Sequence, residues 1–216
     1  MSKTPTKKTK NTRADRTRKE ILVAAERLFA NHGFAATRLE DVAEEVELTR
    51  AALFYHFRDK QMLFDAMIEN AFLNLVEKLN AILDAKEESI SGRLVSAVEA
   101  WVDEMVERPT LARLLLRLVA DGYNESSQNI FAQDVELPQK FFMLVQEGQK
   151  TGELKPIYND PIHTASSIIG TTVFFVSALS TLMPQGVFQP LSQEQLETHK
   201  SESVRSVQRL MGIKVN

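Results

Sequence analysis

The 216-residue sequence contains no cysteine. This excludes a disulfide framework, cysteine-ligated zinc, iron–sulfur clusters and a thiol nucleophile. Glycine is scarce as well, with 8 residues, which disfavours a turn-rich all-β protein or a doubly wound α/β protein. The 4 histidines show no metal-ligand spacing, and the sequence has no glycine-rich phosphate loop, zincin helix or nucleophile elbow. These absences favour an α-rich protein that is not an enzyme, with no metal or cofactor expected.

The composition is that of an ordinary soluble globular protein, with 44% hydrophobic and 25% charged residues. The length allows one large domain or two small ones. The start of the sequence has no apolar segment of the kind found in signal peptides, so we expect a cytoplasmic protein.

Charge is distributed unevenly along the chain. Residues 1–60 hold 13 Lys+Arg against 9 Asp+Glu, a balance of +4, whereas residues 61–216 hold 13 against 20, a balance of −7. Such asymmetry predicts that the N-terminal part meets a polyanion. Residues 1–12 are basic and lack an apolar anchor, which indicates a flexible arm that either follows DNA or acts only as a solubilising tail.

Apolar residues recur at helical spacing, and no sustained strand pattern is found, so we predict an all-α fold. In the N-terminal part, a first helix ends near Gly33, Thr37 and Glu40 form a capping box for a second, and Thr49 caps a third. Asp59 caps a long helix. The later predicted helices cover 89–108, a segment from Pro109, 125–150 with an interruption at Pro138, 161–183 and 192–210.

The second and third short helices, joined by a tight turn, fit a helix-turn-helix. In such a unit the second helix enters the major groove of DNA, while hydroxyl and cationic groups beside it hold phosphates. The alternative from periodicity alone is a small three-helix unit with a solvated charged face.

Residues 16–63 resemble the N-terminal DNA-binding domain of the TetR family of transcriptional repressors. The resemblance is gap-free and covers about a quarter of the chain. The segments that carry it are 16–22 (RTRKEIL), 24–29 (AAERLF), 33–34, 37, 42–43, 48–49, 52–57 (ALFYHF) and 60–63 (KQML). The family is all-helical, with a helix-turn-helix in its second and third helices and a C-terminal domain that binds a small effector and forms a homodimer.

The resemblance assigns roles to individual residues. Thr37 matches a threonine that donates to a phosphate, and Tyr55, His56 and Lys60 match groups that touch the DNA backbone. Arg50 lies where family members often read bases, and its guanidinium suits guanine O6 and N7. The predicted DNA-binding residues are Thr37, Thr49, Arg50, Ala51, Tyr55, His56 and Lys60.

Three residues depart from the family pattern. Glu47 stands where the turn usually has glycine, so a residue with a side chain is expected to adopt a left-handed conformation at a cost of roughly 1 kcal/mol. Ala51 replaces a frequent glycine, and Phe54 lacks the hydroxyl of the commoner tyrosine. These changes leave the fold pattern intact.

Residues 161–193 contain no Asp, Glu, Lys or Arg. A transmembrane helix is the alternative to a buried helix here, but the segment is rich in Ser and Thr and lacks basic flanks. The resemblance instead implies that this helix and the last helix form a four-helix bundle with a second subunit. The predicted dimer-interface residues are Ile169, Val173, Val176, Leu179, Val204 and Val207.

Aromatic and methionine residues lie on the helices that surround the effector pocket in this family. The same spacing is also typical of plain core. The predicted effector-binding residues are Trp101, Met105, Arg117, Tyr123, Phe131, Phe141, Phe142 and Phe174.

Taken with the resemblance, the sequence predicts a basic arm over residues 1–12, a helix-turn-helix domain over 13–62 and a helical effector-binding and dimerisation domain over 63–216. The predicted function is a homodimeric, ligand-responsive repressor that binds a palindromic double-stranded DNA operator and is released by a small hydrophobic or amphipathic effector, without a membrane partner. The alternatives are a DNA-binding regulator without a small effector, and a small-molecule-binding protein or enzyme that retains a helix-turn-helix-like unit.

Overall fold

The computed structural model describes residues 13–120, 136–158, 160–184 and 189–214. Within these ranges the regular elements are all helices and no strand is found, which confirms the all-α prediction. The helices are α1 (Arg13–Ala36), α2 (Leu39–Glu45), α3 (Arg50–His56), α4 (Lys60–Asp84), α5 (Ile90–Glu107), α6 (Pro109–Ala120), α7 (Glu136–Thr151), α8 (Pro161–Ser177), α9 (Leu179–Leu182) and α10 (Gln193–Met211).

Contacts divide the chain into two compact units, Met1–Met67 and Ile68–Asn216. The division falls inside α4, so the first turns of that helix belong to the first unit and the remaining turns to the second.

The first unit is built around a small aromatic cluster. The ring of Phe64 on α4 meets the rings of Phe29 and Phe34 edge-on, with centroids 4.9 Å apart in both cases. Gly33 interrupts the helical geometry of α1 with φ 79°, a conformation that glycine adopts without steric penalty. This break lies where the sequence predicted the end of the first helix.

Side-chain caps set several helix starts where the sequence predicted them. The hydroxyl oxygen of Thr49 accepts a hydrogen bond from the backbone N–H of Ala52 at 3.2 Å, and α3 follows. The carboxylates of Asp59 and Asp160 likewise accept from backbone N–H groups at the starts of α4 and α8, at 2.8 and 2.9 Å. These helix starts depend on local sequence, because a cap needs only a side-chain acceptor within three residues of the backbone N–H that it satisfies.

The capping box predicted for Thr37 and Glu40 is wrong. The residue before α2 is Arg38, and its backbone N–H donates to the carboxylate of Asp41 at 3.0 Å. The Thr37 hydroxyl instead donates to the carbonyl oxygen of Gly33 at 2.8 Å. The start of α2 therefore lies one position later than predicted.

Two later helices differ in extent from their predictions. The helix expected over 161–183 ends at Ser177, and after Ala178 the short α9 begins at Leu179. The helix expected over 125–150 is described from Glu136 as α7, and its earlier predicted part lies outside the described residues.

In the second unit, α8 packs against α5, α6 and α10, and α10 also packs along α5. The ammonium of Lys200 on α10 donates to both carboxylate oxygens of Asp103 on α5 at 2.8 Å. No helix in the described ranges has the length and hydropathy needed to cross a membrane.

Candidate DNA-binding surface

The turn between α2 and α3 is tight and contains the conformation expected from its sequence. Glu47 has φ 53°, which places a residue with a side chain in the left-handed region. The backbone N–H of Leu48 then donates to the carbonyl oxygen of Ala43 at 2.8 Å, which fixes the start of α3 relative to α2. This confirms the prediction that Glu47 adopts the left-handed conformation for which the family usually has glycine.

One face of α3 is buried and the other is open to solvent. Leu53 and Phe57, four residues apart, are buried in the first unit. Arg50, Ala51 and Tyr55 are exposed, and the Tyr55 side chain is 81% exposed. Helical spacing places Ala51 and Tyr55, four residues apart, on the same side of α3, and Arg50 is exposed in the first turn of the helix.

His56 follows Tyr55 on α3 and is half-buried. Its ring meets the Tyr55 ring edge-on, with centroids 5.2 Å apart. Thr49 is exposed but its hydroxyl oxygen is engaged as the helix cap. The structure therefore brings five of the seven predicted DNA-binding residues together at the surface of α3, from Thr49 to His56.

Arg50 is held from two sides. A guanidinium nitrogen lies 3.2 Å from a carboxylate oxygen of Glu40 on α2. The guanidinium carbon lies 5.3 Å from the centroid of the Phe54 ring, one turn further along α3. Sequence reasoning missed Glu40, because nothing in the sequence spacing indicates which acid of α2 faces α3.

Thr37 does not share this surface. The residue is only 2% exposed, and its hydroxyl lies 2.8 Å from the carbonyl oxygen of Gly33 and 3.3 Å from that of Leu28. These bonds tie the segment between α1 and α2 to the end of α1. The hydroxyl can reach a phosphate only by leaving them.

Lys60 also has an internal partner. Its ammonium donates to the carbonyl oxygen of Ala35 at 3.1 Å and lies 4.5 Å from the centroid of the Phe34 ring. Partial burial lowers the pKa of Lys60, and the nearby charge of Asp41 opposes that change. Lys60 therefore joins the start of α4 to the end of α1 while keeping a half-exposed position.

The basic side chains of α1 are partly neutralised. Arg16 forms an ion pair with Glu20 at 3.7 Å, and Arg27 pairs with Glu45 of α2. The predicted arm over residues 1–12 lies outside the described residues.

The predicted effector-binding residues take different positions in the second unit. Trp101 and Met105 on α5 are buried, and the indole N–H of Trp101 has no hydrogen-bond partner in the described part of the chain. Phe141 and Phe142 on α7 are half-buried, with ring centroids 6.2 Å apart. The two side chains at the surface are Arg117 and Phe174, and Tyr123 and Phe131 lie outside the described residues.

The predicted dimer-interface residues are divided between core and surface. Val173, Val176 and Val207 are buried within the subunit, so they are not available to a second copy in this conformation. Ile169 is 45% exposed, and Leu179 and Val204 are half-buried. Because α8 is apolar nearly all round, the sequence does not reveal which residues face α5, α6 and α10.

Within the described ranges, no group of three or more His, Asp or Glu side chains is arranged to hold a metal ion.

Comparison with known proteins identifies the helix-turn-helix unit. Residues 21–67 match the family described as bacterial regulatory proteins, tetR family. Over 150 residues the chain is 28% identical to the uncharacterized HTH-type transcriptional regulator YfiR of Bacillus subtilis, covering 66% of this chain and 70% of that protein. It is 40% identical over 60 residues to the probable acrEF/envCD operon repressor of Escherichia coli, so this similarity spans about a quarter of each protein, 27% in both cases.

The likeness in fold extends along most of the chain. The crystal structure of AibR in complex with isovaleryl coenzyme A and operator DNA matches with a TM-score of 0.68 at 17% identity, covering 92% of this chain and 100% of that one. The relatives named here are regulators of transcription rather than enzymes. Residues 21–67 therefore form a DNA-binding domain of the TetR family, and the chain is similar to helix-turn-helix regulators of transcription.

Proposed function

We propose that the protein is a repressor that binds a palindromic operator as a homodimer and leaves it when a small hydrophobic or amphipathic effector binds the second unit. The observation that carries the proposal is the exposure of Arg50, Ala51 and Tyr55 on α3, directly after the turn at Glu47. The likeness of the first unit to a probable operon repressor of Escherichia coli supports the direction of regulation. Such a protein acts in the cytoplasm, where operator DNA lies.

The proposed DNA interface places α3 in the major groove. Arg50 reads a base edge there, because its forked guanidinium matches O6 and N7 of guanine. Tyr55 and His56, at the other end of α3, contact the phosphate backbone and fix the register of the helix. Lys60 adds a positive charge near the same backbone, and Thr37 acts mainly by holding α2 in place through Gly33.

A second copy of the chain explains the exposed apolar surface of α8 and α9. The large apolar side chains that are exposed there are Ile162, Ile169, Phe174, Leu182 and Met183. An apolar surface of this kind without charged residues is typical of an interaction site. Two copies related by a twofold axis match the two half-sites of a palindrome, whose centres lie about 34–36 Å apart.

The effector is proposed to carry a hydrogen-bond acceptor on an apolar body. The Trp101 side chain is 9% exposed, and its indole N–H has no partner in the described residues. A buried donor without an acceptor costs about 1–3 kcal/mol, so a ligand that supplies the acceptor gains that amount. Acyl compounds meet this requirement through a carbonyl oxygen, and the AibR neighbour was solved with one.

Release of DNA requires that the effector favours one conformation of the protein over another. A ligand shifts such an equilibrium only by its difference in affinity for the two states. Helix α4 is the proposed link, because it begins at Lys60 in the first unit and continues into the second through Phe72 and Leu75, both of which are buried.

The proposal is tested by following a fluorescently labelled operator, selected from random DNA, by anisotropy during titration with acyl and other carbonyl-bearing apolar compounds. An effector should release the wild-type protein. Trp101→Phe removes the N–H but keeps an aromatic ring, and it should raise the effector concentration needed while leaving DNA affinity unchanged. Tyr55→Ala is the complementary variant, because it should weaken DNA binding without altering the affinity for the effector.

Equal loss of DNA binding and effector response in Trp101→Phe would show that Trp101 is plain core. If the protein selects an operator but no compound releases it, a regulator without a small effector is the better description. If it selects no DNA site, the repressor assignment itself is wrong.

A further inference from the structure

The ion pair between Glu40 and Arg50 joins the two helices of the helix-turn-helix. Arg50 is the first residue of α3, and its NH1 nitrogen lies 3.2 Å from a carboxylate oxygen of Glu40 on α2. The second contact of Glu40 is longer, 3.8 Å to the Nε nitrogen of Arg38. The carboxylate therefore lies closer to Arg50 than to the other cation beside it.

The Phe54 ring also restricts the orientation of the Arg50 guanidinium. The guanidinium carbon lies 5.3 Å from the ring centroid, within the range of a cation–π contact. A charged partner on α2 and a ring on α3 together leave a long, flexible side chain fewer orientations than it would have alone. Orientation matters because a bidentate contact with guanine needs both N–H groups of the fork in the plane of the base.

An acid in this position also carries a cost. The Glu40 side chain is 40% exposed and lies next to the surface that is proposed to meet DNA, where its charge repels phosphates of every sequence. Its presence lowers affinity for all DNA, whereas its contact with Arg50 affects only the base that Arg50 reads. The two effects can be separated by experiment.

We propose that Glu40 is a positioning residue that sets base specificity, because its carboxylate orients the Arg50 guanidinium for bidentate contact with guanine. This inference rests on the proposed function, since it requires that α3 reads operator DNA. The proposal places a residue that determines base specificity on α2. From the sequence, this helix was expected to contribute only a phosphate contact at its start.

The test uses Glu40→Gln in the full chain, which keeps the length and an acceptor oxygen but removes the charge. Glu44→Gln is the matched control, because Glu44 lies on the same helix, is exposed and has no ion-pair partner in the described part of the chain. Phe54→Leu is a second variant that alters the support of Arg50 without changing any charge.

Operators selected with the wild-type protein are first scanned with Arg50→Ala to find the guanine that depends on Arg50. Discrimination is then measured as the ratio of the Kd for DNA with another base at that position to the Kd for the selected site. A second probe replaces the guanine with 7-deazaguanine, which lacks only the N7 acceptor. Binding to unrelated DNA reports the general electrostatic effect.

Glu40→Gln should reduce discrimination about two- to fivefold, as expected for loss of an exposed ion pair, and should bind unrelated DNA more tightly. It should also lose less affinity than wild type when 7-deazaguanine replaces guanine. Glu44→Gln should bind unrelated DNA more tightly with discrimination unchanged, and Phe54→Leu should reduce discrimination with little change in binding to unrelated DNA.

Equal discrimination by Glu40→Gln, Glu44→Gln and wild type would overturn the positioning role and leave the repressor assignment intact. Failure of the wild-type protein to select any site would overturn both. An operator without any guanine that depends on Arg50 would overturn both the role of Glu40 and the reading of guanine by Arg50.

Discussion

The ammonium of Lys60, the first residue of α4, donates a hydrogen bond to the carbonyl oxygen of Ala35 near the end of α1, at 3.1 Å. The two residues are 25 positions apart in the sequence. The bond supplies a donor to a carbonyl in the last turn of α1, where carbonyl groups lack partners within the helix. Lys60 is thereby both a structural contact of the first unit and a positive charge near the proposed DNA surface.

Substitution of this lysine should affect two measurements at once. Lys60→Ala removes the bond to Ala35 and is expected to lower the free energy of unfolding by about 0.5–1.5 kcal/mol. It should also weaken binding to all DNA sequences similarly and reduce the slope of log Kd against log salt concentration by about one unit. Denaturant unfolding and DNA titrations at several salt concentrations check the two effects.

Lys78→Ala is the control for loss of a positive charge on the same helix, because Lys78 is exposed and lies in the second unit. It should change neither measurement appreciably. An unchanged salt slope in Lys60→Ala would show that Lys60 has only the structural role.

The left-handed conformation of Glu47 predicts a stabilising substitution. Glu47→Gly relieves a conformational cost of about 1–2 kcal/mol but gives back about 0.5–1 kcal/mol because glycine makes the unfolded chain more flexible. The net expectation is a gain of about 0.5 kcal/mol in the free energy of unfolding, measured by denaturant titration.

Glu47→Ala separates the conformational effect from the effect of charge. It keeps a side chain at φ 53° and should not stabilise the protein, yet both variants should bind DNA more tightly because an acid near the phosphates is removed. Equal stability of the alanine and glycine variants would show that the strain at this position is no larger than the entropic cost of glycine, which would contradict the expected gain.

Exposed residues of α8 are candidates for the proposed dimer interface, whereas its buried residues belong to the core of the subunit. Phe174 is 48% exposed and Val176 is 2% exposed, although the two lie within one turn of each other. Phe174→Glu should therefore give folded monomers, whereas Val176→Glu should unfold the subunit, because it buries an unpaired charge. Circular dichroism and sedimentation velocity separate these outcomes.

Gln149→Glu adds the same charge at an exposed position on α7 and should leave both the fold and the dimer unchanged. Folded dimers of Phe174→Glu at micromolar concentration would place the interface elsewhere on the chain.

Local chemistry explains why many helix starts could be predicted from the sequence. Thr49, Asp59 and Asp160 cap the helices that follow them through backbone groups two or three residues away, so the information lies within one turn. The start of α2 was predicted one residue too early: the backbone N–H of Arg38 donates to Asp41, while the carboxylate of Glu40 faces Arg50.

Contacts between distant segments could not be predicted in this way. Nothing near Ala35 in the sequence points to Lys60, and nothing in an apolar helix distinguishes Phe174 at the surface from Val176 in the core. These choices are made by the packing of other helices against α1 and α8, so they appear only in the folded chain.

The burial of His199 on α10 leads us to expect a lower free energy of unfolding in mild acid. Its ring stacks on Phe175 with centroids 4.1 Å apart, and Nε2 lies 3.3 Å from the hydroxyl of Thr172. Burial lowers the pKa of His199 below its ordinary value of 6.5. Between the lowered pKa and 6.5 the unfolded chain binds more protons than the folded one, so stability falls as the pH drops below about 6.5.

His199→Gln cannot take up this proton and should lose less of its unfolding free energy than wild type between pH 7.5 and pH 5.5. His32→Gln is the control for the same substitution at an exposed histidine. The same pH dependence in His199→Gln and wild type would show that His199 does not govern acid stability.

The stoichiometry and sequence preference of DNA binding decide whether this protein reads DNA as a dimer through α3. Sites are selected from random DNA, and sedimentation equilibrium then counts the chains bound to a selected site and to its isolated half. We expect a palindromic site that binds two chains, with weaker binding to the half-site, and an Arg50→Ala variant that loses about 1–3 kcal/mol of binding free energy and relaxes its base preference. One chain per selected site, or an Arg50→Ala variant with unchanged affinity and preference, would contradict this expectation.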